Sequence, residues 1–300
     1  MRYLFSVVIL LHNEEKTIGT ILHHLAKASL DYNIEVIIID SESTDRSLAI
    51  VKKFEKKLHL KTIPIKKNVF NYGATRNKAV EYATGTYICF LSADIKILTT
   101  DFFKYFHEDF KISKRVVAVF GKQIPYTSTP FLQKLEIILR YKKLDSYTNK
   151  KGLFIQSKNI LSFTKDDSYF SYFLFNPFSC YRSSFLKKNK FPKSMYGEDI
   201  EMGKKIIEKN LVKIYDSRCI VRHSNSLTFF DYYNKQKEEI KLRLKIAKGQ
   251  NKTYFLEKLQ LTFMYKENLL LKAGHSLEIF FFYFLKSLAY IDVKLNISHE

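Results

Sequence analysis

Two hydrophobic patterns alternate over the first 125 residues. Residues 5–11 (FSVVILL) and 35–40 (EVIIID) are continuous apolar runs rich in Val and Ile, as expected for strands buried on both faces of a parallel sheet. Between them, residues 14–28 set Ile18, Ile21, Leu22 and Leu25 at helical spacing. Residues 43–58 repeat that spacing with Leu48, Val51 and Phe54, behind Ser43 or Thr44 as a cap. Residues 60–65, 87–91 and 116–120 predict further strands, and residues 71–83 another helix. The alternation predicts an α/β fold, a mostly parallel sheet flanked by helices with right-handed crossovers.

After Gly121 the pattern loosens. A helical stretch at 131–144 precedes a segment rich in Lys, Asn and Ser, a strand-like FLFNPFSCY at 173–181 and a short helix over 197–210. From about residue 229 amphipathic helices are expected, with Leu242, Leu244, Leu256, Leu259 and Leu261 among many lysines. Three regions follow: 1–125, 126–228, and a basic amphipathic helical extension over 229–300.

Composition narrows the class. The 300 residues are 46% hydrophobic and 27% charged, which excludes wholesale disorder. Cys89, Cys180 and Cys219 are too few and too scattered for a disulfide framework or a zinc ribbon, so a reducing compartment is expected. The apolar stretch 4–11 is too short for a signal core with a cleavage site. The run IFFFYFL at 279–285 falls far short of the roughly 20 residues of a membrane span, so no integral membrane protein is expected. Fifty Lys and Arg against 30 Asp and Glu give a formal charge of +20, which calls for an anionic partner: nucleic acid, an acidic membrane surface or phosphorylated substrates.

In open α/β sheets ligands bind beyond the carboxyl ends of the strands. The polar residues that follow each strand are therefore the candidates: His12 to Glu15, Asp40 to Asp45, and Ser92 to Asp94.

The ordered segments SVVILLHNEE, EVIIIDSESTD, FNYGATRNKAVEYATGTYICFLSAD and YGEDIEM resemble the motifs of family 2 glycosyltransferases with the GT-A fold. With GKQIP at 121–125 and NPFS at 176–179, the string resembles the rhamnosyltransferase-like branch that builds bacterial surface polysaccharides. It covers residues 3 to about 225. The resemblance implies a nucleotide-sugar-binding half over 1–125 and an acceptor-binding half with the catalytic base over 126–228.

Each motif also has a chemical reading. Asp40 closes a buried strand. The resemblance has it accept a hydrogen bond from the base of a nucleoside-diphosphate sugar, and an ionised carboxylate suits a pyrimidine N3–H; alternatively it caps the next helix. His12 offers a ring to stack on that base, and Glu14 stands beside it; a polar turn and a helix's first turn are the plainer readings. Gly73 permits close backbone approach, and Arg76 can hold a diphosphate or base edge by forked hydrogen bonds. The resemblance implies His12, Glu14, Asp40, Arg76, Ser92 and Asp94 as donor-binding residues.

Ser92-Ala93-Asp94 stands where relatives commonly carry Asp-x-Asp. By the resemblance Asp94 keeps the metal-ligand position and His223 completes a site for Mn²⁺ or Mg²⁺, a surface histidine being the plainer reading, while Ser92 lacks the first carboxylate. By the resemblance Asp199 is the general base that deprotonates an acceptor hydroxyl, and Glu198 and Asn176 bind acceptor, with Ser179 and Arg182 shaping that side.

The implied reaction is inverting sugar transfer from a nucleoside-diphosphate donor, by branch dTDP-rhamnose, to a glycan. A catalytically silent binding relative is the alternative, motivated by Ser92. A nucleic-acid-binding protein lacks any helix-turn-helix, zinc or RNP signature, and a dinucleotide-binding dehydrogenase lacks Gly-x-Gly-x-x-Gly after the first strand. The charge has a location: residues 234–272 hold ten Lys or Arg against four Glu, a net of +6, just before the aromatic run. A basic amphipathic tail beside apolar anchors points to peripheral contact with an anionic membrane and a lipid-linked acceptor at the cytoplasmic face. A packed helix with a solvated basic face is the plainer reading.

Overall fold

The computed structural model describes residues 3–158, 168–224, 227–246, 288 and 291–293. Two compact units are present, residues 1–127 with 137–224, and residues 128–136 with 225–300. Every strand of the described residues belongs to the first unit.

The expected alternation is there. Strand β1 (Phe5–Leu11) leads to helix α1 (Ile18–Ala28), β2 (Ile34–Asp40), the short α2 (Ser47–Lys52), β3 (His59–Pro64), α3 (Tyr72–Tyr82) and β4 (Tyr87–Ser92). The two-residue β5 (Lys96–Ile97), α4 (Phe102–Ile112), β6 (Val116–Ile124) and α5 (Phe131–Asp145) follow. Then come β7 (Leu153–Gln156), α6 (Ser168–Tyr172), β8 (Phe178–Arg182), α7 (Ser183–Leu186), α8 (Glu198–Glu208), β9 (Val212–Arg222) and α9 (Phe229–Ile246).

The strands run β3-β2-β1-β4-β8-β6-β9-β5, with β7 also paired to β9. The first four are parallel, as is β6 with β9. Strand β8 enters antiparallel between β4 and β6. It therefore brings the segment just before it, Asn176 and Pro177, to the same sheet edge as the end of β4. Strands β1 and β2 are almost wholly buried, which is why they read as unbroken apolar runs. Ile18, Ile21, Leu22, Leu25 and Ala28 of α1 form a buried face.

Three expectations need adjusting. Helix α2 covers Ser47–Lys52 and neither Ser43 nor Thr44 caps it: Arg46 occupies the N-cap position with no side-chain cap bond. The strand-like stretch 173–181 is a strand only from Phe178 onward. Helix α4 was not anticipated, although Phe102, Phe103, Phe106 and Phe110 mark its buried face. Those rings stack under the sheet: Tyr87 and Phe110 lie 4.4 Å apart at 10°, and Phe102 meets Phe178 edge-on at 5.1 Å. Gly121 makes room for that layer, since a Cβ there would sit 2.2 Å from the Phe178 ring. The three cysteines are buried and unbonded.

In the second unit, α9 buries Tyr232, Gln236, Glu239 and Leu242, one turn after another. The Tyr232 hydroxyl and the Gln236 amide both donate to Glu136 Oε2, at 3.2 and 3.4 Å. No described helix is long and apolar enough to cross a membrane. Leu256, Leu259, Leu261 and the aromatic run 279–285 lie outside the described residues.

Candidate active site

The loops after β1 and β2 are sewn to each other by side chain to backbone bonds. Asn13 N donates to Ser43 Oγ at 3.0 Å, Glu14 N to Ser47 Oγ at 2.8 Å, and Glu15 N to Asp45 Oδ2 at 3.0 Å. In return Asn13 Oδ1 accepts from Thr44 N at 2.8 Å. Asn13 and Glu42 both hold positive φ, 53° and 59°, a conformation non-glycine residues take only where surroundings fix it. The hydroxyls expected to cap a helix thus serve instead to stiffen the rim of the sheet.

At the floor of that rim Asp40 is buried. Its Oδ2 accepts from Ser43 N at 3.2 Å, while Oδ1 is buried with no partner among the described residues. His12 Nδ1 has the same status. Glu14 points the other way. Its Oε2 lies 3.0 Å from Thr17 Oγ1, and that hydroxyl donates to the Ala93 carbonyl at 2.7 Å. Burial, with the charges of Asp94 and Asp45 adding, raises the Glu14 carboxyl above its ordinary range.

Asp94 and His223 are brought together from β4 and β9. His223 Nε2 lies 3.2 Å from Asp94 Oδ2, and Ser92 Oγ donates to Asp94 Oδ1. Burial pushes the Asp94 carboxyl up, but the His223 ring and the Ser92 hydroxyl outweigh it and hold the carboxyl below its usual value. The Tyr126 hydroxyl donates to the Asp94 carbonyl at 3.0 Å. Behind the ring, Gln123 Nε2 is 2.6 Å from the His223 carbonyl oxygen and 3.0 Å from Nδ1.

A second cluster forms at the start of α8. Gly197 takes φ 76° and turns the chain into the helix, a backbone state that favours glycine. Glu198 Oε1 accepts from Arg76 Nη1 at 2.6 Å and from Asn176 Nδ2 at 3.3 Å. Asn176 Oδ1 accepts from the Tyr181 hydroxyl at 2.6 Å, and Asn176 N points at Asp199 Oδ2 at 3.5 Å. Asp199 Oδ1 accepts from Ile200 N at 2.8 Å. The Asp199 carboxyl is half-buried; desolvation first, and the Glu198 charge second, push it up to about 7 against the pull of Arg76.

Helix α3 sets this cluster. Asn71 caps it by accepting from Ala74 N at 3.0 Å. Gly73 lets it press against the chain before α8, where a Cβ would stand 1.8 Å from the Pro192 carbonyl. Asn77 then clamps Phe191, donating to its carbonyl at 2.9 Å and accepting from its amide at 2.8 Å. Burial raises the pKa of the Tyr72 hydroxyl against the pull of Arg76, with the charges of Asp94 and Glu198 adding.

The sequence-derived candidates therefore gather in one region, with changed duties for three of them. Arg76 is buried, with Nη1 held by Glu198 and Nε without a partner among the described residues. Glu198 is equally buried in that pair. Asn176 is fully buried with its amide committed, which makes it a positioning residue beneath the site and not a surface contact for an acceptor. Ser179 lies under Asn176. Arg182 is elsewhere, donating to the carbonyls of Val116, Phe110 and Ser113. Gln123, Asn77, Thr17 and Tyr126 were missed. Gln123 and Asn77 stand inside quoted motifs, but nothing in a single sequence says which partner a buried amide will meet.

Residues 6–170, more than half of the chain, match the profile of Glycosyl transferase family 2. The chain belongs to that family. Among curated family 2 relatives, the poly(ribitol-phosphate) beta-N-acetylglucosaminyltransferase TarS of Staphylococcus aureus is 37% identical over 91 residues, which is 30% of this chain and 16% of TarS. The chain thus matches only about a sixth of that relative's length. The O-antigen chain rhamnosyltransferase WbaN of Salmonella anatum is 27% identical over 231 residues, 75% of this chain and 67% of WbaN. The crystal structure of TarS 1–349 with UDP-GlcNAc superposes at a TM-score of 0.57 with 20% identity, over 98% of this chain and 79% of that one. The mannosyltransferase PcManGT of Pyrobaculum calidifontis, solved with GDP-Man and Mn²⁺, gives 0.56 with 16% identity over 80% and 61%. These neighbours share the GT-A fold expected for the family.

Proposed function

We propose that this family 2 chain transfers a sugar from a nucleoside-diphosphate donor to a hydroxyl of a glycan acceptor, with inversion at the anomeric carbon. The observation that carries the reading is Asp199. A carboxyl poised at about 7 stands at the head of α8, and Tyr72 feels both its neighbour Glu198 and Asp94. A general base works best with a pKa near the operating pH.

The donor's base fits the floor formed by Asp40 and His12. The unpartnered Oδ1 of Asp40 only accepts hydrogen bonds when ionised, so the N3–H of a pyrimidine satisfies it and removes the cost of a buried orphan acceptor. His12 directly follows Leu11, which is paired with Asp40, and is assigned the stacking role; Glu14 is assigned to the donor's ribose and phosphates.

Asp94 and His223 fit a divalent ion such as Mn²⁺ or Mg²⁺: a carboxylate oxygen and an imidazole nitrogen face each other at 3.2 Å, and diphosphate oxygens and water would complete the shell. Such an ion supplies charge neutralisation for the departing diphosphate. Ser92 holds Asp94 Oδ1, and Oδ2 is the oxygen that faces His223 Nε2. That PcManGT was solved with Mn²⁺ supports the assignment.

In the transfer step the acceptor oxygen forms a bond to the anomeric carbon as its proton passes to Asp199. The bond from that carbon to the diphosphate oxygen breaks, and its electron pair leaves with the diphosphate. Burial and the Glu198 charge keep the Asp199 carboxyl basic, while Arg76 and the Asn176 amide pull against them. The name of WbaN, whose match spans most of the chain, favours a rhamnosyl donor, which the motif resemblance puts on dTDP; TarS, solved with UDP-GlcNAc, makes that sugar nucleotide the competitor. The formal charge of +20 favours a lipid-linked acceptor and peripheral contact with the cytoplasmic face of an anionic membrane.

The test is a panel of nucleotide sugars with Mn²⁺, read first by thermal stabilisation and then by product formation with a lipid-linked glycan. Stabilisation by dTDP-rhamnose with turnover that Asp199→Asn abolishes supports the reading. Stabilisation without turnover for any donor identifies a silent binding relative instead.

A further inference from the structure

Two segments far apart in the sequence meet beside the head of α8. Residues 66–72 (KKNVFNY) lead into α3, and residues 187–196 (KKNKFPKSMY) run down to Gly197. Gly73 N donates to the Ser194 carbonyl at 3.4 Å, and Asn77 holds both the amide and the carbonyl of Phe191. Tyr72 and Met195, which flank the Gly73–Ser194 bond, are therefore neighbours on the surface. Met195 is held outward. Ser194 Oγ donates to the Tyr196 carbonyl at 2.6 Å and accepts from Tyr196 N at 3.2 Å, closing a tight turn with Met195 at its tip, 57% exposed. Val69 ends a short 3₁₀ turn (Lys67–Val69) and is 63% exposed. Tyr72 is 41% exposed, its ring backed edge-on by Phe70 at 4.9 Å and by the Arg76 guanidinium at 5.5 Å.

Single exposed apolar side chains are ordinary; three on adjoining segments, among charges of one sign, are not. The two segments carry Lys66, Lys67, Lys187, Lys188, Lys190 and Lys193 and no acidic residue. All six lysines are exposed, and none forms an ion pair among the described residues. Glu42, itself exposed, accepts from Lys67 N at 2.9 Å and offsets part of that charge. Apolar tips beside unpaired lysines suit an anionic bilayer interface, where hydrocarbon enters the acyl boundary while ammonium groups meet headgroup phosphates. A nucleic acid would use the lysines and offer nothing to Val69 or Met195.

We propose that the rim built by residues 66–72 and 187–196 is the surface through which the chain docks on an anionic membrane, with Val69, Tyr72 and Met195 entering the interface. The inference rests on the peripheral membrane contact proposed above and deepens it, since it puts that contact beside the base and not in the basic extension over 229–300. Location gives the surface a use. Asp199 follows Met195 by four residues, so seating this rim on a bilayer brings the head of α8 to the headgroup layer, where a lipid-linked acceptor presents its glycan.

The chain has no tryptophan, so Met195→Trp gives the full chain a single reporter at an exposed position. With vesicles of mixed phosphatidylglycerol and phosphatidylcholine at low salt, its emission should shift to the blue and be quenched by lipids brominated on the acyl chain. Phosphatidylcholine alone should give neither effect. Ile112→Trp is the control: it lies at the end of α4, is also 50% exposed beside exposed Lys111 and Lys114, and should not shift. Lys66→Gln, Lys67→Gln and Lys193→Gln combined should weaken vesicle binding about a hundredfold, from the ~1 kcal/mol per lysine near an anionic surface; unchanged binding overturns the proposal. Co-sedimentation of the wild type separates the two levels of the argument. A wild type that does not sediment with phosphatidylglycerol vesicles refutes membrane contact altogether, and this surface with it. A wild type that sediments while Met195→Trp emission stays unmoved, or while Ile112→Trp moves instead, leaves the contact standing and overturns the rim as its site. A Met195→Trp shift produced by single-stranded DNA and not by vesicles assigns the rim to nucleic acid and overturns the proposal as well.

Discussion

The guanidinium of Arg76 and the carboxylate of Glu198 meet at 2.6 Å, both nearly excluded from solvent. A helix after the third strand and a helix before the last are joined there by a charge pair that neither could hold alone. Removing one partner strands the other, at a cost of about 3–5 kcal/mol for buried pairs. Arg76→Met is therefore expected to lower the denaturant midpoint severely. Adding Glu198→Gln, which still accepts from Asn176, should return most of the loss. A single variant with an unchanged midpoint would show that the pair is solvated in solution.

Gly73 sets the depth at which α3 docks. A Cβ placed there would lie 1.8 Å from the Pro192 carbonyl, which is backbone and cannot swing aside. Gly73→Ala should cost about 1–3 kcal/mol through overpacking, with the urea midpoint falling at unchanged slope. Turnover should fall further than stability explains, because Asn77 and Arg76 move with the helix. Equal folding and equal turnover in the variant would mean the loop before α8 yields freely.

Much of the first half was legible because its information is local. The runs at 5–11 and 35–40 announce doubly buried strands, and β1 and β2 are that. Asp40 closes β2, and Asp94 stands two residues after the end of β4. Helix α4 escaped notice although its phenylalanines carry helical spacing, since Lys, His, Glu and Asp are interleaved among them. Strand β8 could not be placed, because its antiparallel entry between β4 and β6 is decided by pairing across the chain. The duties of Arg76 and Asn176 were hidden for the same reason: Arg76 meets a carboxylate 122 residues away. Residue type indicated that these side chains mattered, and only tertiary contact shows that they frame the site from below.

Asp40 offers a direct probe of donor binding. Its Oδ1 is buried without a partner among the described residues, while Oδ2 holds Ser43 N. Asp40→Asn can keep the Ser43 bond through its oxygen and turn an NH₂ toward the empty side. Folding should be preserved, because no bond within the protein is lost. Affinity for a pyrimidine nucleoside diphosphate should drop at least tenfold, about 1.4 kcal/mol, as a donor now faces N3–H. Calorimetric titration with dTDP and UDP reads it, and undiminished affinity for both would remove Asp40 from the base site.

Asp199 couples activity and stability to pH in opposite directions. Its folded carboxyl is raised, by burial first, to about 7, whereas an unfolded aspartate titrates near 3.9. Between those values the native state binds a proton that the unfolded state has lost, so this group's contribution to stability falls as pH rises and levels off above about 7. Catalysis needs the ionised base, so kcat/KM should climb through about pH 7 and plateau above it. Asp199→Asn removes the buried charge. It is expected to be more stable than the wild type at pH 8, with the gap closing toward pH 4, while turnover falls by about 10²–10⁴ as for loss of a general base. Glu198→Gln, by deleting the like charge beside it, should move the midpoint of the activity profile to lower pH. A profile flat from pH 5 to 9, together with an Asp199→Asn variant no more stable than its parent at pH 8, would remove Asp199 from the role of base.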